Sequence, residues 1–476
     1  MGPLEIGALG LAALFLLMLL QIPIGFAMII VGVVGFALQG GWGPALTLLV
    51  NEPTGVLSSA DLATVPLFLL MGTFASVAGF STDIYNAAAA FLGHRRGGLG
   101  YATVGGSAAF GVVCGSSTAT AATFARAALP EMLKRGYSES FSTGTIAAGG
   151  TLKSLIPPSI VMILYCIVAK TFILDLFRAA ILPALLAIAV NLAAIAIVVR
   201  LDRGAAPVGP RVPWRERWVA LKGAGPVLFL MIAVFGGLYS GIFTVTEAAS
   251  VAAVLSLLFA LARGRLNWAL VWQGLRESAA ATGMIYVMIM GALIFTYFLN
   301  LGRVPEALVQ AIADMNLPPL LIVFVLLVAY LALGAIFDEI SAMLITLPLV
   351  LPVIQKLGVT MMPGVSPEMI AVWWGIINVV IIELGMIIPP IGIIVFILHG
   401  LAPQIAMRTI YRGVTPFIVA DLLLLAALTL FPAIALWLPM WEGHFALPSI
   451  FAPADWHAHE LLFGYLPAAM AGVLLT

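Results

Sequence analysis

The chain has 476 residues, 63% of them hydrophobic and 9% charged, with 21 basic and 21 acidic side chains cancelling to zero formal charge. A soluble domain keeps its surface wet with roughly 25% charged residues, so lipid must be the solvent for much of this one. Zero net charge leaves no electrostatic footprint for nucleic acid. Apolar runs at 11–20, 181–199 and 320–335 approach the ~20 residues that span a hydrocarbon core as a helix. The short alternating strands of a membrane barrel are absent, and helices are then the remaining way to satisfy the backbone in lipid. Cys114 and Cys166 both sit in apolar stretches and read as small core residues, not a disulfide or metal framework. The first segment lacks a basic leader and a small-residue cleavage site, so it reads as a retained helix.

In chain order, two spans at about 4–20 and 22–39 precede a connecting segment at 43–58 and a span at 63–92. Residues 97–133 follow, flanked by His94-Arg95-Arg96 and by Lys134-Arg135. Basic loops stay in the cytoplasm, so this segment enters the bilayer and returns, turning at Gly115-Ser116-Ser117. Spans at 143–168 and 172–200 complete the first half. Residues 202–222, polar and carrying Pro207, Pro210 and Pro213, form a cytoplasmic linker.

The second half repeats the order with opposite orientation. Spans at 225–242 and 245–262 lead to an amphipathic stretch at 266–277 and a span at 278–300. Residues 317–355 have few basic flanks, so they enter from outside and turn near 334–338. Spans at 370–398 and 413–438 close the set. A sequence echo links the halves: Ser154-Leu155-Ile156-Pro157-Pro158-Ser159 answers Ile387-Ile388-Pro389-Pro390-Ile391-Gly392. Leu129-Pro130 and Leu351-Pro352 precede them in matching places.

The expected architecture is an all-α polytopic membrane protein of two inverted repeats, with two re-entrant helical hairpins and two broken transmembrane helices. Its segments are scaffold helices at 1–92, a hairpin, broken helix and span at 93–200, and a linker at 201–224. Scaffold helices at 225–302, the second hairpin set at 303–438 and a tail at 439–476 follow. Inverted repeats let one site open alternately to each side, and such sites form where helices break near the midplane. Four breaks are candidates: 115–118, 149–159, 334–339 and 385–392. Proline leaves carbonyls unpaired, glycine allows a tight turn, and Ser116, Ser117, Thr118, Thr151 and Ser154 add hydroxyl oxygens that suit a hard cation. The competing explanation is that these residues serve helix packing and kinks alone.

The runs Cys-Gly-Ser-Ser-Thr-Ala-Thr-Ala-Ala-Thr at 114–123, Leu129-Pro130-Glu131-Met132 and Gly150-Thr151-Leu152-Lys153-Ser154-Leu155-Ile156-Pro157-Pro158-Ser159 resemble the large membrane subunit of TRAP transporters. So do 241–249, 334–341 and 383–392, and the resemblance covers about residues 1–438. It implies an elevator-type carrier in the bacterial inner membrane that imports an organic acid coupled to Na⁺. Its implied partners are a small four-helix membrane subunit, expected as a separate chain, and a periplasmic substrate-binding protein. Carried over by position, a first sodium site takes Ser116, Ser117, Gly150, Ser154 and Pro157. A second takes Gly334, Gly385 and the carbonyls near Ile388, where relatives carry a threonine before the two prolines and this chain lacks that hydroxyl.

Ionisable groups at membrane depth are costly and are usually paired or functional. Lys153 meets either a substrate carboxylate or an internal partner, Glu383 or Asp338. Thr118, Asp338 and Glu383 join Lys153 as candidate substrate contacts. Glu247 reads as scaffold, Arg126 as a polar contact within the bundle, Asp421 as locally paired and His399 as a bundle or interface histidine. Trp214, Trp218, Trp268 and Trp272 read as interfacial anchors.

The stretch from Asp455, with His457 and His459, resembles the start of NnrS-type membrane proteins and breaks off at Thr476. Its alternatives are a metal or haem site on those histidines or an inert fusion, and we place it outside the carrier. Three other classes compete with this reading. A stand-alone Na⁺- or H⁺-coupled anion carrier would need no binding protein, and a passive channel would show no substrate exchange. An intramembrane enzyme would need a His-Glu-x-x-His or Gly-x-Ser-x-Gly motif, and neither occurs.

Overall fold

A computed structural model describes residues 2–442, and every regular element among them is helical. His444, His457 and His459 lie outside the described residues. Among the described residues, seven helices are long and apolar enough to cross a membrane, or up to nine if each of two bent pairs counts as one span. Leu19, Leu38 and Ile232 are each more than two-thirds exposed. In lipid such side chains cost nothing, which fits a helix bundle solvated by hydrocarbon. The chain is a multi-pass membrane protein.

Helices Pro3–Leu19, Ile24–Gly40 and Trp42–Leu57 open the chain. The expected single span at 63–92 is two helices, Thr64–Ala78 and Phe80–Leu92. Gly79, at φ +80°, ends the first of them in the left-handed conformation. Arg263 braces this turn by donating to the Ala78 carbonyl at 2.8 Å and pairing with Asp83.

A helix pair, Gly98–Gly111 and Ser117–Lys134, then forms the first hairpin, and Glu139–Thr151 leads into the first break. There a tight turn at Leu152–Leu155 and the Pro157-Pro158 step redirect the chain by 41° into Ile160–Ala169. Helix Ile173–Leu201 precedes the linker, which is not wholly extended, since Trp214–Gly223 is helical and joins Gly225–Tyr239 at 53°.

After Val245–Ala262, the expected amphipathic stretch and span are one 34-residue helix, Trp268–Leu301. Asn267 caps it, accepting from Leu270 N at 2.8 Å, and no proline or left-handed residue interrupts it. This helix packs along Ile24–Gly40 at near backbone contact. A Cβ on Gly291 would lie 2.5 Å from the Gly25 carbonyl oxygen, so the small residues set the helix spacing.

Val304–Asp314 leads to the second hairpin, Pro319–Gly334 and Glu339–Met361. Pro367–Gly385, a break at 386–392 and Ile393–Leu401 follow. The expected last span at 413–438 starts earlier and ends earlier, as Met407–Leu430. The step Phe431-Pro432 stops it, because proline cannot continue the preceding helical turn, and Ala433–Glu442 begins beyond.

Candidate functional site

At the first hairpin tip, Ser116 takes an extended conformation and caps the returning helix, its Oγ accepting from Ala119 N at 3.3 Å. Its hydroxyl also meets Thr118 Oγ1 at 2.9 Å. Capping turns Ser116 along the tip, while Ser117, the first helical residue, points inward and is fully buried. Gly150 lies against the returning helix, where a Cβ would come within 2.8 Å of Ala121 Cβ. Only glycine lets the break approach the tip this closely.

The break then presents Lys153 and Ser154, both fully buried. Lys153 Nζ donates to the Gly115 carbonyl at 3.0 Å, fastening the break to the tip. Gly111 leaves room for its aliphatic stem, since a Cβ there would sit 3.0 Å from Lys153 Cβ. Pro157 is buried just beyond.

The second half supplies carboxylates to the same point. Ser117 Oγ lies 2.9 Å from Ser154 Oγ, 3.1 Å from Glu339 Oε2 and 2.8 Å from Glu383 Oε1. Ser154 Oγ lies 2.9 Å from the same Glu339 oxygen. Two hairpin tips and two helix breaks therefore meet at one cluster of hydroxyls and carboxylates. Glu339 and Glu383 are both buried, and Glu383 Oε2 has no hydrogen-bond partner among the described residues. Lys153 lies within electrostatic reach of both. A cavity of about 20 Å³ lined by Thr151, Glu383 and Asp421 adjoins the cluster, room for one water by volume.

The glycines expected at the second sodium site are in backbone contact. A Cβ on Gly385 would lie 2.5 Å from the Gly334 carbonyl carbon. Gly392 N donates to the Ala335 carbonyl at 3.4 Å, tying the far side of this break to the tip. Ile388 is half-buried and its N–H is directed to the Gly385 carbonyl at 3.2 Å.

Two sequence expectations change. Asp338 is exposed and its carboxylate caps the Glu339–Met361 helix, accepting from Ile340 N and Ser341 N at 3.2 Å each and from the Ser341 hydroxyl. The inward carboxylate is its neighbour Glu339, which the sequence reading did not select. The spacing Asp338-x-x-Ser341 before an apolar run is a helix-start signal and would have separated the two roles. Arg126 lies on the exposed face of its helix instead of making the expected bundle contact.

Other expectations acquire partners. Asp421 accepts from Asn191 Nδ2 at 2.8 Å. Thr244 and Glu247 form a reciprocal helix cap. His399 Nδ1 is 2.9 Å from the Ile405 carbonyl oxygen, and the four tryptophans are all exposed.

The oxygens gathered here are hydroxyls and carboxylates, hard donors that fit a hard cation. The orphaned Glu383 oxygen offers such an ion a buried ligand.

Comparison with known proteins places this geometry. Residues 11–434 match the family described as "Tripartite ATP-independent periplasmic transporter, DctM component". Residues 422–476 match the family described as "NnrS protein". The chain is 34% identical over 414 residues to the C4-dicarboxylate TRAP transporter large permease protein of Pseudomonas aeruginosa, covering 85% of this chain and 94% of that one. It is 30% identical to the ectoine TRAP transporter large permease protein of Halomonas elongata, covering 89% and 96%. It is 28% identical to the sialic acid TRAP transporter large permease protein of Vibrio cholerae, covering 88% and 94%. Among solved structures, the Alcanivorax borkumensis YdaH transporter aligns with a TM-score of 0.54 at 18% identity, over 86% of this chain and 90% of that one, a likeness of fold. The motifs at the two tips and two breaks thus belong to a transporter permease and not to an enzyme: the chain is a member of the DctM, or large permease, family of TRAP transporters.

Proposed function

We propose that this chain is the translocating subunit of a three-part carrier in the bacterial inner membrane. It imports an organic acid, a carboxylate, together with Na⁺. The observation that carries the reading is the meeting of Ser117, Ser154, Glu339 and Glu383, one from each tip and break, at a single buried point. A site built between two halves is what alternating access requires, because each half can release it to a different side. The halves are inverted repeats, their hairpins are re-entrant, and the hairpin-bearing part moves against the remaining helices as an elevator. Ser116, Ser117, Gly150, Ser154 and Pro157 hold the first sodium ion. Gly334, Gly385 and the backbone near Ile388 form the second site.

Relatives named for dicarboxylates, ectoine and sialic acid differ in cargo while sharing this architecture, so selection rests largely with a periplasmic binding protein. A small membrane subunit completes the assembly. Thr118, half-buried beside Ser116, is placed to meet cargo at the tip. Lys153 is fully buried and engaged with Gly115, so its part in this conformation is to position the tip.

Uptake of labelled organic acids into proteoliposomes holding the chain, its small subunit and its binding protein tests the reading. Uptake is expected to require the binding protein and to stop when choline replaces Na⁺. Unchanged uptake in choline would refute sodium coupling. Uptake without the binding protein would establish a stand-alone carrier instead.

A further inference from the structure

Away from the polar centre, three arginines meet at one end of the first half. Arg96 closes the basic run before the first hairpin, Arg200 lies in the last turn of Ile173–Leu201, and Arg203 opens the linker. Together with Tyr101 they line a cavity of about 340 Å³, far larger than the single-water space beside Glu383. All three are exposed, and among the described residues none has an ion pair or a hydrogen-bond partner. Other arginines are spent internally: Arg135 on Glu131 at 2.7 Å, Arg263 on Asp83, and Arg217 on the Val212 carbonyl at 3.0 Å and the Trp214 ring. Setting the orientation of a membrane protein requires positive charge in its loops, but it requires no cavity.

Ordered backbone holds the arginines in place. Gly97, at φ +73°, lets the hairpin entry lie directly on the helix end, where a Cβ would come within 2.8 Å of Val199 Cγ2. Arg96 and Arg200 are thereby brought to the same cavity. On the linker side, Ser138 N donates to the Ala205 carbonyl at 2.9 Å, and Gly204 N donates to Asp202 Oδ1 at 2.9 Å. These bonds fix the turn that carries Arg203 and engage the adjacent acid in it. Three guanidiniums against the one carboxylate of Asp202 leave two positive charges uncompensated at the cavity.

Guanidinium forks match the oxygens of a phosphate, which they bind through paired, charge-assisted hydrogen bonds. A phosphate could come from a lipid or from a soluble anion, and the surroundings favour the lipid. Ile197 and Leu201, one helical turn apart beside Arg200, are both more than half exposed. A soluble anion has no use for that apolar surface, whereas an acyl chain covers it. Basic loops mark the cytoplasmic surface, where anionic headgroups gather in basic pockets between helices. We propose that this cavity binds the phosphodiester headgroup of an anionic phospholipid through Arg96, Arg200 and Arg203, with an acyl chain lying along Ile197 and Leu201. Such a lipid ties the entry of the first hairpin to the linker between the halves. The site is separate from the polar centre and does not rest on the transport reading.

The test is thermal unfolding of the purified full-length chain in phosphatidylcholine nanodiscs that contain a rising share of phosphatidylglycerol. A ligand bound only by the folded state raises the unfolding temperature with its concentration. Phosphatidylglycerol is expected to stabilise the wild type saturably. Replacing all three arginines, as Arg96→Gln, Arg200→Gln and Arg203→Gln, is expected to raise the half-saturating share at least about fivefold, because three basic contacts to the headgroup are lost. A second triple variant, Arg215→Gln, Lys222→Gln and Arg408→Gln, removes as many exposed charges outside the cavity and is expected to leave that share nearly unchanged. Equal loss in the two triple variants would reduce the effect to general attraction between basic loops and anionic lipid, and would overturn the site. A wild type indifferent to phosphatidylglycerol would overturn it as well. Sodium phosphate added to pure phosphatidylcholine nanodiscs, against sodium chloride at equal ionic strength, distinguishes the sources: stabilisation matching that by phosphatidylglycerol would replace the lipid with a soluble anion. Should the arginine variant fail to fold, native mass spectrometry of the wild type decides instead. Preferential retention of phosphatidylglycerol is expected, and retention no greater than that of phosphatidylcholine would overturn the proposal.

Discussion

The two hairpin tips do similar structural work with different chemistry. The first is rich in side-chain donors: Ser116 caps its own helix, Ser117 points inward, and Lys153 from the adjoining break fastens the tip through the Gly115 carbonyl. The second brings its break closer, with Gly334 and Gly385 touching backbone to backbone, and it contributes carboxylates instead of hydroxyls. Neither tip is complete alone. The hydroxyls of one face the carboxylates of the other, and the single buried ammonium belongs to the hydroxyl side. Two halves that carry a sequence echo thus supply complementary groups to one polar centre.

The largest expected effect is at the fastening lysine. Lys153→Met removes the charged donor to Gly115 and leaves that buried carbonyl without it, a loss of about 1.5–3 kcal/mol. Thermal unfolding in nanodiscs should show it, and an unfolding temperature equal to wild type would mean that the first tip does not depend on this contact.

Backbone contact makes the second tip vulnerable in another way. Gly385→Ala places a Cβ 2.5 Å from the Gly334 carbonyl carbon, which backbone cannot yield easily. The expected cost is about 1–3 kcal/mol, the range for overpacking. Gly283→Ala, where nothing lies within 4 Å of the added atom, is the control and should not destabilise. Equal behaviour of the two variants would break the contrast between the tips.

The smallest effect separates neighbours. Asp338→Ala removes the cap of the Glu339–Met361 helix and should cost about 1 kcal/mol, with sodium-dependent uptake retained. A loss of that uptake would move Asp338 from capping into the site.

Much of the organisation is legible along the chain because hydrocarbon solvent imposes strong rules. Apolar length gives spans, basic loops suggest orientation, and proline and glycine mark the breaks at Pro157 and Gly385. Where a helix runs on is less legible. The amphipathic stretch before residue 278 looks like a separate surface segment, yet nothing in its backbone stops the helix, so Trp268–Leu301 is continuous. Conversely, Gly79 ends a helix inside a run that reads as one span.

Within the site, the residue types of the first tip were visible as hydroxyls clustered at a turn. Glu339 was not: the helix-start signal assigns capping to Asp338, but that its neighbour then reaches Ser117 and Ser154 is decided by packing. Asn191 and Asp421, 230 residues apart, show the same limit, since only packing reveals that they meet.

By itself, then, the sequence determined that the chain lives in lipid as helices, where the four breaks around the polar centre fall, and which family they belong to. These follow from local composition and spacing, which act on a few turns at a time. The tertiary structure decided which oxygens face one another. That choice depends on the rotation of each helix about its axis and on backbone approach at glycines, and both are set by packing between segments more than 200 residues apart. The polar centre of Ser117, Ser154, Glu339 and Glu383 exists only at that level.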